Sequence, residues 1–202
     1  MSIDSDNRQR ILDAAQAIFA ESGLAGLSVR AIAARAGLST IGVYSHFKGK
    51  RGILLALYAD GFSRLGEAAD IPPGSAEDGD LVKLLVNRYI DFYRDHPAHY
   101  QLMFGMDRNQ LGDNATLGPI AKASIQRLAA TLSRLLPSGQ LPDVALGMAL
   151  RVWVLMHGYV TLREMARFRM MGEAEWRAEV ANAVDQLLAG FNVVGMSQIY
   201  AK

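Results

Sequence analysis

Apolar residues recur at intervals of three and four positions along most of this chain, the spacing that aligns them on one face of an α-helix. Ile11, Ala15, Ile18 and Phe19 set the pattern near the start of the chain. No segment alternates apolar and polar residues over the length of a strand. The pattern therefore predicts an all-α protein of about nine helices.

Small polar residues and glycines mark the ends of three N-terminal helices, because they satisfy the unpaired backbone groups of a helix end. The expected N-caps are Asp6 or Asn7, Ser28 and Ser39, and the expected helix ends are Gly23, Gly37 and about Phe47. In the third helix Val43 and Phe47 lie four positions apart, so we expect them to pack inward.

Longer helical patterns follow the first three. The remaining helices are expected at 50–69, 81–95, a short segment from 97, 120–136, 144–170 and 173–190, with loops at 71–80, 107–119 and 137–143. Residues 81–95 are apolar nearly all round, which is typical of a central bundle helix. The predicted domain boundary lies near residue 50, where a small three-helix domain, residues 1–50, is followed by a larger helical bundle, residues 51–202.

Segment 28–47 has the organisation of a helix-turn-helix, with two short helices joined by a turn that contains glycine. Ala33 and Ala36 are small enough to let the two helices approach closely, and Gly37 can adopt the positive φ of the turn. In such a unit the second helix presents its N-terminal half to the DNA major groove. The residues expected to face outward there are Thr40, Ile41, Tyr44 and Ser45.

The first quarter of the chain is basic, although the formal net charge of the protein is only +1 at pH 7. Residues 1–53 carry seven Arg or Lys against four Asp or Glu, and no acid occurs between Glu21 and Asp60. A local basic surface of this kind favours a polyanionic partner such as nucleic acid.

Composition narrows the class of protein further. Half of the residues are hydrophobic and a fifth are charged, the balance of a folded globular protein. The absence of cysteine excludes disulfides, thiolate metal sites and cysteine nucleophiles. The opening residues MSIDSDNRQR lack the apolar core of a secretory signal, and the apolar stretches are too short to span a membrane. We therefore expect a cytoplasmic protein with no membrane partner.

The motifs in residues 10–55 resemble the DNA-binding domain of TetR-family (tetracycline-repressor-like) transcriptional regulators. The matching pieces are ILDAAQAIFAESG in the first helix, IAARAGLS at the turn and VYSHFKGKRGILL at the entry to the fourth helix. Two later segments, HPAHYQLMFG at 96–105 and WVLMHGYVTL at 153–162, resemble the C-terminal domain of the WHG subgroup of that family.

The resemblance implies a homodimeric regulator, expected to be a repressor, that leaves a double-stranded DNA operator when a small apolar or aromatic effector binds its C-terminal domain. It places base contacts on Thr40, Ile41 and Gly42, where the sequence departs from the usual residues at positions 41 and 42. The candidate DNA-binding residues are Arg30, Ser39, Thr40, Ile41, Gly42, Tyr44, His46, Lys48 and Lys50.

Aromatic and Met residues in the C-terminal half suggest an adaptable apolar cavity, although the same residues are also typical of an ordinary core. The candidate ligand-binding residues are Phe92, Tyr93, Tyr100, Met103, Phe104, Trp153, Met156 and His157. The resemblance assigns dimerisation to the last two helices, where a stripe at helical spacing could equally be the core of a single chain. That stripe consists of Trp176, Val180, Val184, Leu187, Leu188 and Phe191.

No catalytic motif, cofactor motif or metal-ligand spacing accompanies these features. His96 and His99 form the only cluster with metal-binding character, but Pro97 places them at a helix start with no obvious third ligand. The sequence therefore predicts neither an enzyme nor a cofactor or metal protein. Two alternatives remain open: a helical-bundle enzyme or binding protein without DNA function, and a DNA-binding regulator that responds to no small molecule.

Overall fold

The structure, a computed structural model, describes residues 3–75, 78–105, 114–136, 142–163 and 165–193. These residues form α-helices and one 3-10 turn, and none of them lies in a strand, which confirms the all-α prediction. The helices are α1 Ile3–Gly26, α2 Val29–Ala36, α3 Thr40–Phe47, α4 Lys50–Ala69, α5 Asp78–Asp95, α6 Pro97–Phe104, α7 Asn114–Leu132, α8 Pro142–Thr161, the single turn α9 Ala166–Arg169, and α10 Glu173–Val193. A 3-10 turn, Ser133–Leu135, follows α7.

Helices α2, α3 and α4 have the predicted bounds, whereas several other helix ends differ from the prediction. Helix α1 begins at Ile3, so neither Asp6 nor Asn7 is its N-cap, although the predicted break does occur at Gly23, where φ is 59° and ψ −157°. Helix α5 begins at Asp78, three residues early, and α10 continues to Val193.

Helix α7 begins inside the predicted 107–119 loop and includes Pro119. Proline removes one backbone N–H from the helix, and this single loss does not end it here. Residues 106–113 and 137–141, the other parts of the predicted loops around α7, lie outside the described residues.

The predicted helix 144–170 ends early, at Thr161. The Arg163 guanidinium explains the turn that follows, because it donates hydrogen bonds to the carbonyls of Phe168 and Met171 and lies 4.7 Å from the ring centroid of Trp176. These contacts hold the chain in a turn where the apolar pattern alone would continue the helix.

Packing divides the described residues into two compact units: unit 1, within residues 1–63 and 96–121, and unit 2, within residues 64–95 and 122–202. The chain passes from unit 1 to unit 2 within α4. The predicted boundary near residue 50 concerns which segment binds DNA and which binds ligand, so it stays a prediction.

In unit 1, α1 packs on α2 and α6, and α2 packs on α3. Ile11, Ile32 and Val43 are fully buried in its core. Helices α4 and α6 meet at a row of aromatic rings, in which Phe62 lies 4.8 Å from Tyr58 and 5.7 Å from Phe104 between ring centroids. The three N-terminal helices are thus held by a core of their own and by contacts with α6.

In unit 2, α10 packs on α5 and α8, and α5 packs on α8. Arg177 of α10 ties the first pair together, since its guanidinium lies 2.8 Å from the Asp91 carboxylate and 3.2 Å from Asn87 Oδ1. Thr131 of α7 holds the end of α4: its hydroxyl donates to the Ala69 carbonyl at 2.7 Å and accepts from the Ile71 N–H at 3.3 Å.

By length and composition, α8 alone among the described helices could cross a membrane. Such a helix is weak evidence, because the core helix of a soluble protein passes the same test. Here α8 packs on α5 and α10, and Met148, Val152 and Val160 on its inner face are buried.

Candidate nucleic-acid interface

Local hydrogen bonds fix the turn between α2 and α3 as the sequence predicts. The Ser28 hydroxyl accepts a hydrogen bond from the Ala31 N–H at 3.1 Å, which caps α2. Gly37 ends α2 with φ 66°, a conformation that favours glycine. The Ser39 hydroxyl accepts from the Gly42 N–H at 3.0 Å and caps α3. Both predicted N-caps and the glycine stop are therefore confirmed.

Helix α3 has one buried and one exposed face. Val43 and Phe47 are buried, as predicted. On the opposite side an exposed stripe follows the helical spacing of three and four residues. This stripe consists of Ile41, Tyr44, Ser45 and Lys48, with Ile41 80% and Tyr44 55% exposed. The predicted outward-facing residues thus lie on the surface, away from the core.

The turn between α3 and α4 brings two backbones into close contact. Lys48 ends α3 at φ 54°, in the left-handed region, and its N–H donates to the Tyr44 carbonyl at 3.0 Å. A side chain at Gly49 would lie 3.3 Å from the Tyr44 ring, and a Cβ at Gly52 would lie only 1.7 Å from the Phe47 carbonyl oxygen. The two glycines therefore allow the start of α4 to pack closely against the end of α3.

The nine predicted DNA-binding residues comprise six exposed and three half-buried residues, the latter being Gly42, His46 and Lys50. Six of them are exposed on the surface of α2 and α3 or at their caps, and these are Arg30, Ser39, Thr40, Ile41, Tyr44 and Lys48. Gly42 is half-buried, and a Cβ there would meet only Ser39 Oγ, at 3.5 Å.

His46 and Lys50 already have partners within the chain. Lys50 Nζ donates to the Leu24 carbonyl at 3.0 Å, so this side chain ties the start of α4 to the end of α1. His46 Nδ1 lies 3.5 Å from the exposed Asp4 carboxylate. A phosphate contact from either residue would have to replace these internal interactions.

The segment that contains α2 and α3 carries no acid between Glu21 and Asp60, although the exposed Asp4 carboxylate of α1 lies beside His46 of α3. Glu21 precedes the acid-free stretch and is paired with Arg35 through two hydrogen bonds of 2.6 and 2.7 Å. The hydrogen bond from Arg35 lowers the pKa of the Glu21 carboxyl. Arg30 and Lys48 are exposed on the same unit. A polyanion would therefore meet positive charge and backbone N–H groups here.

Three residues that support this interface were not predicted as such. Arg10 donates to the Ala36 carbonyl at 2.6 Å and so caps the end of α2, and Arg8 lies 5.0 Å from the ring centroid of Phe47. Gly52 is the third, through its close approach to Phe47. Arg8 and Arg10 lie within four residues of buried Ile11 and Leu12 on α1. This closeness to the buried positions is the only sequence signal that the two arginines contact α2 and α3.

Unit 2 contains a small, partly enclosed apolar cavity of about 10 Å³, close to the space that one water molecule needs. Two predicted ligand-binding residues, Trp153 and Met156, line it. The other lining residues are Leu65, Ala68 and Ala69 of α4, Leu85 and Tyr89 of α5, and Ser124, Ile125 and Leu128 of α7. These were not predicted, because small and aliphatic residues at core spacing give no sign that a cavity lies between them.

The structure does not bring the other predicted ligand-binding residues to this cavity. Tyr100, Met103 and Phe104 belong to unit 1, where the Tyr100 and Phe104 rings pack at 4.7 Å between centroids with their planes tilted by 58°. Phe92 is buried and Tyr93 half-buried on α5. The His157 ring lies 6.3 Å from that of Trp153, and burial lowers the pKa of its imidazole.

The apolar stripe on α10 packs mainly inside unit 2. Trp176, Val180, Val184 and Leu188 are buried, Leu187 is half-buried, and the Phe191 side chain lies outside the described residues. An open apolar groove of about 350 Å³ instead lies on the outer side of α8 and α10. Its lining residues are Leu150, Arg151, Val154, Leu155 and Leu187.

Within the described residues, His96 and His99 belong to no group of three His, Cys, Asp or Glu side chains that could hold a metal ion. The His96 and His99 rings lie 5.9 Å apart, and His99 Nε2 lies 3.0 Å from the Asp60 carboxylate. His99 is buried, so this arrangement acts as a structural polar contact in unit 1.

Comparison with known families matches most of the chain in two parts. Residues 11–57 match the model of bacterial regulatory proteins of the tetR family, and residues 82–187 match that of the tetracyclin repressor-like C-terminal domain. The chain belongs to the TetR family. The C-terminal match contains the 153–162 segment, and the N-terminal match contains all of α2 and α3.

Individual proteins are also similar to this chain. The HTH-type transcriptional repressor DrrR1 of Streptomyces coeruleorubidus is 30% identical over 191 residues, which cover 90% of this chain and 64% of that protein. Among solved structures, a protein with unknown function from Rhodococcus sp. RHA1 is 26% identical with a TM-score of 0.68, over 91% of this chain and 94% of the other. A TetR-family transcriptional regulator from Streptomyces coelicolor shares the fold, with 24% identity and a TM-score of 0.64 over 91% and 98% of the two chains.

Proposed function

We propose that this TetR-family chain is a cytoplasmic, sequence-specific DNA-binding repressor that acts as a homodimer. The observation that carries the proposal is the exposed stripe of α3, a capped helix whose other face is buried, in a part of the sequence without acids. A recognition helix must be held firmly by its inner face while its outer face is free for DNA. The similarity to DrrR1, a transcriptional repressor, supports repression over activation.

The proposed contacts divide into base contacts and phosphate contacts. Thr40, Ile41 and Arg30 face the bases, and bare Gly42 allows the start of α3 to approach them closely. Phosphates are contacted by Ser39 and Tyr44 and by the charged side chains. Lys48 is the first of these charged phosphate partners. His46 and Lys50 join it once they give up Asp4 and the Leu24 carbonyl for a phosphate.

The groove on α8 and α10 is the proposed dimer contact. Val154 is 64% and Leu150 43% exposed there, a costly position for two aliphatic side chains unless a second subunit covers them. Two-fold pairing of the chains would present two recognition helices to a palindromic operator. The buried stripe of α10 packs on α5 and α8 inside unit 2, so it holds the helices of this contact in place and is not itself part of it.

The cavity of unit 2 is the proposed effector site, and its apolar lining favours a small apolar or aromatic effector. With room for about one water, it must expand before such a molecule enters. Expansion would displace α4, which supplies three lining residues and also begins at the α3 turn. An effector shifts the DNA-binding equilibrium only through its different affinities for the two arrangements.

The small size of that cavity also favours a second candidate, a repressor that responds to no small molecule. Thermal denaturation with a panel of small apolar compounds separates the two, because a ligand that binds only the folded state raises Tm. A compound that raises Tm and releases DNA supports the effector mechanism. A panel with no effect on either quantity supports the second candidate.

The DNA-binding proposal is tested by fluorescence anisotropy on a labelled duplex of the protein's own upstream intergenic DNA, at about 50 and 200 mM salt. Lys48→Asn is the preferred variant, because asparagine tolerates the left-handed backbone that Lys48 adopts. We expect the slope of log K against log salt to fall by about 0.9 for each lost phosphate contact, or about 1.8 for a dimer. An unchanged slope would remove Lys48 from the interface, and no salt-sensitive binding by the wild type would refute the proposal.

A further inference from the structure

Ile41 is the most exposed large hydrophobic residue of α3. Ile41 is 80% exposed at the second position of α3, and it begins the exposed stripe that lies opposite buried Val43 and Phe47. An aliphatic side chain at such a position contributes nothing to the core of unit 1. Its place in the exposed stripe therefore points to a partner outside the chain.

The neighbours of Ile41 leave its side chain open to that partner. A Cβ at Gly42 would meet nothing closer than Ser39 Oγ at 3.5 Å, so the fold has room for a side chain that the sequence omits. Thr40 and Tyr44 are exposed beside it, and no acid occurs from residue 22 to residue 59. The surroundings are thus basic and hydroxyl-bearing, which suits DNA better than an apolar protein surface.

We propose that Ile41 makes the helix specific for thymine, by packing its side chain against the thymine 5-methyl group in the major groove. This inference rests on the proposed function, in which α3 enters that groove. Isoleucine offers neither a hydrogen-bond donor nor an acceptor, and the 5-methyl group is the one apolar feature among the major-groove edges of the bases. At the same position cytosine would present an amino group that Ile41 leaves without a partner.

Burial of one methyl group gives the size of the effect. The transfer of a methyl-sized group from water is worth about a fourfold change in Kd for one half-site. A dimer that contacts one thymine in each half-site would lose about fifteenfold in affinity when both methyl groups are removed.

Deoxyuridine tests this directly, since it keeps every hydrogen-bonding group of thymine and lacks only the methyl. The duplex is the segment of the protein's own upstream DNA that the wild type protects from nuclease. Thymines are replaced by deoxyuridine in symmetric pairs, and Kd is measured for the wild type, Ile41→Ala and Thr40→Ser. Thr40→Ser is the matched control, because it removes the neighbouring methyl group and keeps the hydroxyl.

We expect one thymine pair at which deoxyuridine weakens wild-type binding by about fifteenfold. At that pair Ile41→Ala should bind thymine and deoxyuridine duplexes equally, while Thr40→Ser keeps the discrimination.

Three results would overturn the inference: no deoxyuridine-sensitive pair, discrimination that survives in Ile41→Ala, or discrimination that disappears in Thr40→Ser. Each of them leaves sequence-specific binding by the wild type intact, so the proposed function would stand. Failure of the wild type to protect any segment would instead refute the proposed function, and with it this inference.

Discussion

Gly52 is the position at which a single methyl group should disturb the recognition helix most. It lies in the first turn of α4, and a Cβ there would be 1.7 Å from the Phe47 carbonyl oxygen and 2.8 Å from the carbonyl carbon. Because the contacted atoms are backbone, no side chain can rotate away. In Gly52→Ala the end of α3 and the start of α4 must separate by about 1.3 Å before the contact reaches even 3.0 Å.

The expected cost follows from overpacking of a close backbone contact, about 3 kcal/mol and so at the upper end of the usual range. Alanine also gains about 1 kcal/mol of helix propensity over glycine, which leaves a net loss of about 2 kcal/mol. For a chain of this length that loss lowers Tm by about 4–8 °C. Thermal unfolding followed by circular dichroism, at one fixed protein concentration, measures the change.

Gly42→Ala is the matched control, because it adds the same methyl group to the neighbouring helix. There the new atom meets only Ser39 Oγ at 3.5 Å, an ordinary contact. The helix-propensity gain, about 0.5–1 kcal/mol, should appear alone and raise Tm by about 1–4 °C. A Gly52→Ala protein as stable as the wild type, or a Gly42→Ala protein destabilised to the same extent, would refute the reasoning.

Three further substitutions test other parts of the structure. Arg177→Ala should cost about 1–3 kcal/mol in a urea titration, because the partly buried Asp91 carboxylate and Asn87 Oδ1 lose a charged donor, whereas Arg35→Ala at an exposed ion pair should leave the unfolding midpoint nearly unchanged. Thr131→Val should cost about 1–3 kcal/mol in that assay, because it leaves the Ala69 carbonyl and the Ile71 N–H buried without their partner; a loss near zero would contradict the role of Thr131 in holding the end of α4. Burial lowers the pKa of His157 below its ordinary 6.5, so the folded protein resists protonation that the unfolded chain accepts, and stability should fall as pH drops below about 6.5. In Tm measurements at several pH values His157→Gln should lose less stability on acidification than the wild type, and an identical pH profile would contradict this.

The sequence predicts the N-terminal helices closely because their ends are decided locally. Ser28, Gly37 and Ser39 each bond to backbone groups a few residues away, and such contacts are visible as a short sequence pattern. The inward positions of Val43 and Phe47 follow from the same helical spacing. The outward face of α3 is therefore predictable from its residues alone.

The ends of the later helices depend on contacts between distant residues, which periodicity does not encode. Helix α8 stops at Thr161 where Arg163 holds the following turn beside Trp176, thirteen residues further along the chain. The stripe on α10 shows the same limit. Its spacing indicates an apolar face, but only the packing on α5 and α8 shows that this face is filled from within the chain.

The sequence predicts that aromatic and Met residues line the cavity, but it does not predict which of them do so. Trp153 and Met156 do line the cavity, while the Tyr100 and Phe104 rings pack against each other in unit 1. Aromatic and Met residues are equally suited to both places, since each fills irregular apolar space. The choice depends on which helices meet, and small residues such as Ala68 that open the cavity carry no chemical signal of their own.

Sequence-preferring DNA binding by the helix-turn-helix of α2 and α3 is tested most directly by comparing two duplexes. Purified protein is titrated, at about 150 mM salt, against its own upstream intergenic duplex and against a scrambled duplex of equal length and composition. We predict at least about a thousandfold tighter binding to the upstream duplex, and weaker binding to both duplexes in Tyr44→Ala. Equal affinity for the two duplexes, or no binding to either, would contradict the account.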